Sequence, residues 1–402
     1  MFTNSIIFVT NCMLVCMNFS KLKSRISGFN RITIKVGSNV ITQKDGSLNE
    51  ERILRIVEDV AVLYKQGVEV VLVSSGAVAA GRSNIVPSKK TNIIAARQVW
   101  AAIGQVKLMS SYQFLFGKYG IQAGQLLATK DSFRDRRNYL NMKNCISAML
   151  ENHVLPIVNE NDTISINELM FTDNDELSGL ISSMMDCESL IILTNVDGVY
   201  SGVPGSSDAK LIPRIEVDSD SLEKYISPVK SGFGRGGMVT KYSIARKTAK
   251  EGIDVFIANG TRDAIISDIV RGKDVPYTQF VASNEKETGV KKWLSHSDTF
   301  AKGSVTINSG AKDALHGEKA TSLLMIGIVR VDGFFKSGDI VRIFDENGVN
   351  IGLGKAQYDS ERAENNIGVK LSKPFIHYDY LFIYEKNKGL IFHKEDLKGT
   401  EN

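Results

Sequence analysis

The chain has 402 residues, of which 43% are hydrophobic, 23% charged and 8% aromatic; this excludes wholesale disorder and collagen-like repetition, and at roughly 100–200 residues per domain it predicts two or three domains. The 49 Lys plus Arg nearly balance the 45 Asp plus Glu, for a net charge of +4, so no domain carries the basic excess of a dedicated nucleic-acid binder. Four cysteines, Cys12, Cys16, Cys145 and Cys187, are too few and too scattered for a disulfide framework or a zinc pair-of-pairs, and a reduced, cytoplasmic setting is expected.

Residues 1–28 hold Lys21, Lys23 and Arg25 and no acid. Ile6 to Phe19 is apolar, but the basic residues follow it instead of preceding it and no A-x-A cleavage pattern is present, so it does not read as a signal peptide. Interrupted by Thr10, Asn11 and Asn18, it is also too short to span a membrane. The segment reads as an N-terminal extension from a mis-assigned start, with Met17 as the alternative initiator, and deletion of residues 1–16 is expected to leave activity intact.

From Arg31 the pattern is strand, helix, strand, repeated, as a mostly parallel sheet with helical crossovers requires. Arg31 to Gly37 is a β-branched run ending in glycine. Glu51 to Gln66 sets Ile53, Ile56, Val57, Val60 and Leu63 on one helical stripe, and Gly67 supplies the stop. Val68 to Val73 reads as a buried strand, and further strands are expected near Gln122–Leu127, Val154–Val158, Leu190–Leu193 and Asp254–Ala258. Polar clusters follow these strands: Gly37-Ser38-Asn39, Ser74-Ser75-Gly76, Asn159-Glu160-Asn161-Asp162 and Thr194-Asn195. Ligands of open α/β sheets bind outside the carboxyl ends of the strands, so these clusters are expected to converge on one crevice.

After about residue 285 the texture changes to short strands, at Ser304–Ile307, Ser322–Val331, Asp339–Phe344 and Ile367–Leu371, with Asn347-Gly348 as a type I′ hairpin signal. Bases and acids balance from Ala301 onward, at 14 each. The expected organisation is an extension over 1–28, an α/β domain over 29–285, a small β-rich domain over 290–390 and a tail over 391–402.

Three constellations carry chemistry. Gly232, Gly234 and Gly237 satisfy GxGxxG, but no strand precedes them, which disfavours a dinucleotide fold, and Lys241 stands four residues beyond the last glycine, which is not Walker spacing. The stretch instead suits an anion cradle, in which glycines admit backbone N–H groups to a phosphate, a helix from about Met238 points its positive end there and Lys241 adds a charge. Lys35, near the end of an apolar strand, is costly unless its ammonium meets an anion. Asn159–Asp162, followed by Thr172-Asp173-Asn174-Asp175 at the head of a helix running to Cys187, can hold an ammonium, orient lysines or help ligate Mg²⁺; N-capping alone is the plain alternative for any one of them. Two lysines and two glycine turns point to phosphoryl transfer. The five histidines have no evident partners and are read as structural or surface residues.

Together, Ile34–Ser38, Val73–Arg82, Gly124–Leu127, Val158–Asp162, Asp173–Ser178, Leu193–Tyr200 and Gly236–Lys241 resemble, in order, the glutamate 5-kinases of the amino acid kinase superfamily. The C-terminal region is similar to the PUA domain that bacterial members often carry. The resemblance implies a three-layer αβα sandwich with a mostly parallel central sheet, followed by the small β-rich PUA-like domain. It implies ATP-dependent phosphorylation of the side-chain carboxylate of L-glutamate to L-glutamyl 5-phosphate, the first step of proline biosynthesis, with Mg²⁺ carried mainly on the ATP phosphates. By residue match it gives Ser75, Asp162 and Asn174 to the substrate and Lys35, Lys241 and Asp175 to catalysis. Lys35, Thr194, Asn195 and the run Arg235, Gly236, Gly237, Met238, Val239, Thr240 and Lys241 go to the nucleotide.

The chemistry agrees with those roles: a carboxylate is already a nucleophile at neutral pH, so catalysis reduces to alignment and charge neutralisation without a general base. Asn195 stands where many members have Asp, Arg235 where a small hydroxyl residue is common, and Ser38-Asn39 where Thr-Ser is common. Arg235 is expected to add a phosphate contact. A homo-oligomer, feedback inhibition by L-proline and a partnership with glutamyl phosphate reductase also follow from the resemblance. The competing readings are a sister kinase acting on N-acetylglutamate, aspartate or a nucleoside monophosphate, and an RNA-binding or regulatory protein working through the β-rich domain.

Overall fold

The computed structural model describes residues 28–88, 90–134, 136–164, 174–202, 209–216, 237–283, 301–317 and 321–384. Its first part is an eight-stranded sheet: β1 (Arg31–Val36), β2 (Glu69–Ser74), β3 (Gln122–Ala128), β4 (Val154–Glu160), β5 (Ser189–Thr194), β6 (Arg214–Ile215), β7 (Asp254–Asn259) and β8 (Tyr277–Phe280). In space the order is β3-β4-β2-β1-β5-β7-β8-β6. Pairing is parallel from β3 through β7; β8 runs antiparallel to β7, and β6 is parallel to β8.

Helices cover both faces because the strands alternate their side chains. Ile32, Ile34 and Val36 of β1 join Val70 and Leu72 of β2 in a core closed by the helices Glu50–Lys65, Ile93–Gly117 and Ile265–Val270. On the other face, Val71, Val73 and Val158 pack under the helices Arg136–Glu151 and Asn174–Met184, while Leu190, Ile192, Val255 and Ile257 pack under Met238–Lys250. The result is the expected αβα sandwich with a mostly parallel centre. Among the described residues no helix is long and apolar enough to cross a membrane.

The second part is a five-stranded sheet of β9 (Gly303–Ile307), β10 (Ile328–Asp332), β11 (Ile340–Phe344), β12 (Asn350–Lys355) and β13 (Leu381–Ile383), in the order β10-β9-β11-β12-β13. Only β9 and β11 pair in parallel. It has its own core, including Val305, Ile343, Phe335 and Phe375. Ile340 and Leu353, however, belong to the buried cluster of the first part, beside Val71, Val73 and Val158, so the two sheets share a hydrophobic seam.

Several local expectations are corrected. The run Ser322–Val331 is not one strand: a 3-10 turn over Met325–Gly327 precedes β10, and a Cβ at Gly327 would lie 2.6 Å from that of Ala311, so the chain bends where a side chain cannot fit. Ile367–Leu371 lies outside any strand, and Gly368 takes φ +73°. The hairpin at Asn347-Gly348 forms, but only Gly348 adopts positive φ, so the turn is not type I′; the Asp345 carboxylate holds the loop instead by accepting from the backbone N–H groups of Asn347 and Val349. The helix expected to reach Cys187 ends at Met184, because Asp186 turns left-handed at φ +51°.

Candidate active site

All four polar clusters sit at the carboxyl ends of adjacent strands. Val36, the last residue of β1, is in register with Ser74 of β2 on one side and Leu193 of β5 on the other. With strands spaced about 4.8 Å apart, the cluster after β2 and the cluster after β5 stand roughly 10 Å from each other across β1. Lys35 is the residue between them.

Lys35 is on the face of β1 opposite Ile34 and Val36, and it is 4% exposed. Its Nζ lies 2.5 Å from Asp175 Oδ1. Asp175 is fully buried in the first turn of the helix Asn174–Met184, and its Oδ2 accepts from Lys241 Nζ at 2.8 Å. Lys241 comes from the first turns of the facing helix Met238–Lys250. The two helices approach closely at Gly179, where a Cβ would fall 2.9 Å from Thr248 Oγ1. One carboxylate thus joins two lysines delivered by a strand and a helix that are distant in sequence.

Burial by itself raises the Asp175 pKa, but the Lys35 and Lys241 ammonium groups outweigh it and hold the value at about 2. Two ammoniums and one carboxylate leave one positive charge in a nearly water-free place. Such a cluster is poised to take an anion. Gly37 keeps room for it: a Cβ there would sit 3.0 Å from the Leu193 carbonyl oxygen and 3.7 Å from Lys35 Nζ.

On the β2 and β4 side, the two hydrogens of Asn174 Nδ2 are shared among three acceptors in reach, the Ser74 carbonyl at 2.8 Å, Ser75 Oγ at 2.8 Å and Asn159 Oδ1 at 2.9 Å. Asn159 Nδ2 donates onward to Gln105 Oε1 at 2.8 Å. Asn174 Oδ1 is buried and has no hydrogen-bond partner among the described residues. Asp162 Oδ1 accepts from Arg97 Nη2 at 2.7 Å and from Nε at 3.3 Å. Gly76, at φ +97°, lets the chain turn sharply from Ser75 into the helix Ala77–Arg82.

On the β5 side, Thr194 is buried and Asn195 exposed, with Thr194 Oγ1 3.4 Å from Asn195 Oδ1. Just beyond them Asp197 is held below the usual carboxylate range, first by the hydrogen bond from Arg262, whose Nε is 2.9 Å away. Gly237 is the extended residue before the helix that carries Met238, Val239, Thr240 and Lys241 in its first turns; Val239 is exposed and Met238 partly packed. Arg235 and Gly236, like Thr172 and Asp173, lie outside the described residues.

The structure therefore brings Lys35, Asp175 and Lys241 into one cluster, and Ser75 and Asn174 into a second. Asp162 is tied to the same region through Arg97. Sequence reasoning missed Gln105 and Arg97 and gave Asn159 a role only as part of the Asn159–Asp162 cluster. The available signal was weak: Gln105 is a lone carboxamide in an otherwise apolar helical stretch, Ala101 to Val106, where only a fold shows what it faces. Of the histidines, His316 bonds the Lys312 carbonyl and His377 lies beside Asp379, both local surface contacts away from these clusters.

Comparison with known proteins agrees with this geometry. The model of the amino acid kinase family matches residues 30–259, and that of the PUA domain matches residues 303–373. A glutamate 5-kinase of Bacteroides thetaiotaomicron is 53% identical over 356 residues, covering 88% of this chain and 99% of the relative. A glutamate 5-kinase of Chlorobaculum tepidum is 47% identical over 356 residues, covering 88% and 98%.

Proposed function

The chain belongs to the amino acid kinase family, and from that premise we propose that it carries glutamate 5-kinase activity through the clusters around Asp175 and Asn174. It transfers the γ-phosphoryl group of ATP to the side-chain carboxylate of L-glutamate, giving L-glutamyl 5-phosphate and ADP, the first step of proline biosynthesis. The observation that carries the site assignment is the buried Lys35–Asp175–Lys241 bridge, standing between a carboxamide-lined cluster and the end of β5.

The mechanism follows from placement and charge. The acceptor carboxylate attacks the γ-phosphorus while the bond to the bridging oxygen of ADP breaks, and no proton has to be removed first. Charge builds on the transferred oxygens and on the leaving group. Lys35 and Lys241 supply fixed positive ends on either side of that charge, and Asp175 keeps both ammoniums from drifting to other anions. Glycine at position 37 lets backbone N–H and phosphate approach, and the helix beginning at Met238 presents its positive end. Ser75 and Asn174 hold the α-amino acid end, and Asn174 Oδ1, an unpaired acceptor, suits an ammonium group. Asp162, with Arg97 at its side, completes a match to a zwitterion. Thr194, Asn195 and the run from Arg235 to Lys241 line the nucleotide.

Both oxygens of Asp175 are engaged by lysines, so the donor set suits an Mg²⁺ carried by the nucleotide and not one held by this carboxylate. Bound in that way, Mg²⁺ neutralises phosphate charge.

The same reading carries domain bounds of 29–285 and 290–390, a cytoplasmic setting where glutamate and ATP are supplied, and association of copies through the kinase domain. Inhibition by L-proline fits a site that grips an amino and a carboxyl group. Because an acyl phosphate hydrolyses readily, a reductase that consumes it is the natural partner. The test is MgATP turnover with L-glutamate in hydroxylamine, which captures an acyl phosphate as hydroxamate. Hydroxamate that depends on glutamate and vanishes in Lys241→Ala is expected; turnover with N-acetylglutamate or aspartate alone overturns the substrate assignment.

A further inference from the structure

The carboxamides behind the substrate cluster form a chain whose direction is fixed at two backbone points. The Ser74 carbonyl can only accept, so the group that Asn174 turns toward it at 2.8 Å is the NH₂. The Glu160 N–H can only donate, and it donates to Asn159 Oδ1 at 2.8 Å. Asn159 must therefore show its NH₂ to Gln105, and Gln105 must answer with its oxygen. The outcome is that, among the described residues, the Asn174 oxygen is left buried without a partner. An orphaned buried acceptor is costly unless a ligand donor fills it.

We infer that Gln105 is a positioning residue for substrate selection: its Oε1 completes the hydrogen bonds of an Asn159 carboxamide already oriented by the Glu160 N–H, and so holds it in place against Asn174, whose Oδ1 stands open as the acceptor for the substrate's ammonium. Gln105 acts through Asn159 and does not itself touch the substrate. It sits on the helix Ile93–Gly117 one residue after Gly104, whose Cβ, if present, would be 1.7 Å from the Ala77 carbonyl oxygen. That contact holds the helix against the turn after Ser75, so the relay is anchored where the substrate cluster begins. Without the Gln105 oxygen, the Asn159 NH₂ is left buried with no acceptor; the Glu160 N–H still fixes which end of the amide faces Asn174, but the side chain is no longer held from behind, and Asn174 Oδ1 shifts with it away from the place of the ammonium.

This inference rests on the assignment of Asn174 to the substrate, and the experiment separates the two. Steady-state constants are measured for wild type, Gln105→Met, Gln105→Glu and Asn174→Ala with L-glutamate and with ATP. Gln105→Met keeps the volume and removes the acceptor; the KM for glutamate is expected to rise about tenfold or more, with the KM for ATP and kcat each within about threefold of wild type. Gln105→Glu keeps an oxygen toward Asn159 Nδ2 and is expected to restore most of the glutamate KM. Gln105→Asn, which draws the oxygen back by one methylene, replaces the methionine variant if the latter does not fold. An unchanged glutamate KM in Gln105→Met overturns the inference. So does a Gln105→Glu variant as impaired as Gln105→Met, which means that Nε2 contacts the substrate directly, or a parallel loss in the ATP constants, which means a merely structural role. A normal glutamate KM in Asn174→Ala brings down the underlying site assignment instead, whatever the Gln105 variants do.

Discussion

Asp175 shows how much depends on a single side chain. It is a fully buried carboxylate with two buried cations, so Asp175→Asn leaves two ammoniums facing each other without a counter-charge. The variant is expected to lose about 3–5 kcal/mol of stability and at least about 100-fold in kcat, as read by urea unfolding and by the hydroxamate assay. Because the folded-state pKa of Asp175 is depressed from the ordinary 3.8 to about 2, its ionised form favours the folded chain above 3.8, and that contribution disappears as pH falls through about 2. The stability gap between wild type and Asp175→Asn should accordingly be constant from neutral pH to about 4 and narrow below it; a gap that widens on acidification contradicts the ion-pair account. Gly37→Ala tests the room beside Lys35: a methyl group 3.0 Å from the Leu193 carbonyl oxygen crowds the place where phosphate must come, and kcat should fall by about tenfold or more, with the glutamate KM little changed.

At the scale of elements, glycines decide which helices meet. A Cβ at Gly104 would lie 1.7 Å from the Ala77 carbonyl oxygen, and one at Gly81 would lie 1.8 Å from that of Trp100. The helices Ala77–Arg82 and Ile93–Gly117 therefore cross in backbone contact, and the crossing seats the Ser75-Gly76 turn. Gly104→Ala forces the pair apart, at a cost of about 3 kcal/mol or more. Thermal unfolding should register that loss together with a raised glutamate KM, since Gln105 moves with the helix. A variant with lowered melting temperature and unaltered KM would separate the crossing from the substrate cluster. The helix-and-strand alternation itself was legible from periodicity: Glu50–Lys65 and β1, β2, β4, β5 and β7 fall within a residue or two of their expected bounds. In the first part the helix from Asn174 stops short of Cys187 and the edge strands β6 and β8 have no expected counterpart; the other differences lie in the β-rich part, where short strands broken by glycine give little periodic signal. Thus β13 has no expected counterpart, β12 is implied only by the hairpin turn before it, and Ile367–Leu371, strand-like in its branched residues, lies in a turn region.

For the whole molecule, the seam between the two sheets is the feature with consequences. Leu353 is fully buried, and with Ile340 it joins the cluster that includes Val71, Val73 and Leu177, the last on the same helix as Asp175. The second domain is therefore built into the packing behind the strand ends that carry the lysine cluster. Leu353→Ala should cost about 2–5 kcal/mol, and scanning calorimetry should show the kinase domain's transition moving down together with that of the β-rich domain. Movement of the β-rich domain's transition alone would mean that the seam contributes nothing to the kinase domain.

The sequence by itself determined the class of fold and the strand ends on which the polar clusters sit, because hydrophobic period and residue type are local properties written along the chain, and it marked Lys35 and Lys241 as cations beside glycine turns; the place of Asp175 between them was implied only by the family resemblance. The tertiary structure alone decided that Asp175 takes both lysines at once, that Arg97 occupies Asp162 and that a chain of carboxamides runs from Gln105 to Asn174. Each of these is a direction in space between residues 15 to 140 positions apart, or the orientation of an amide whose two ends differ only in what they face. No spacing along the chain records that.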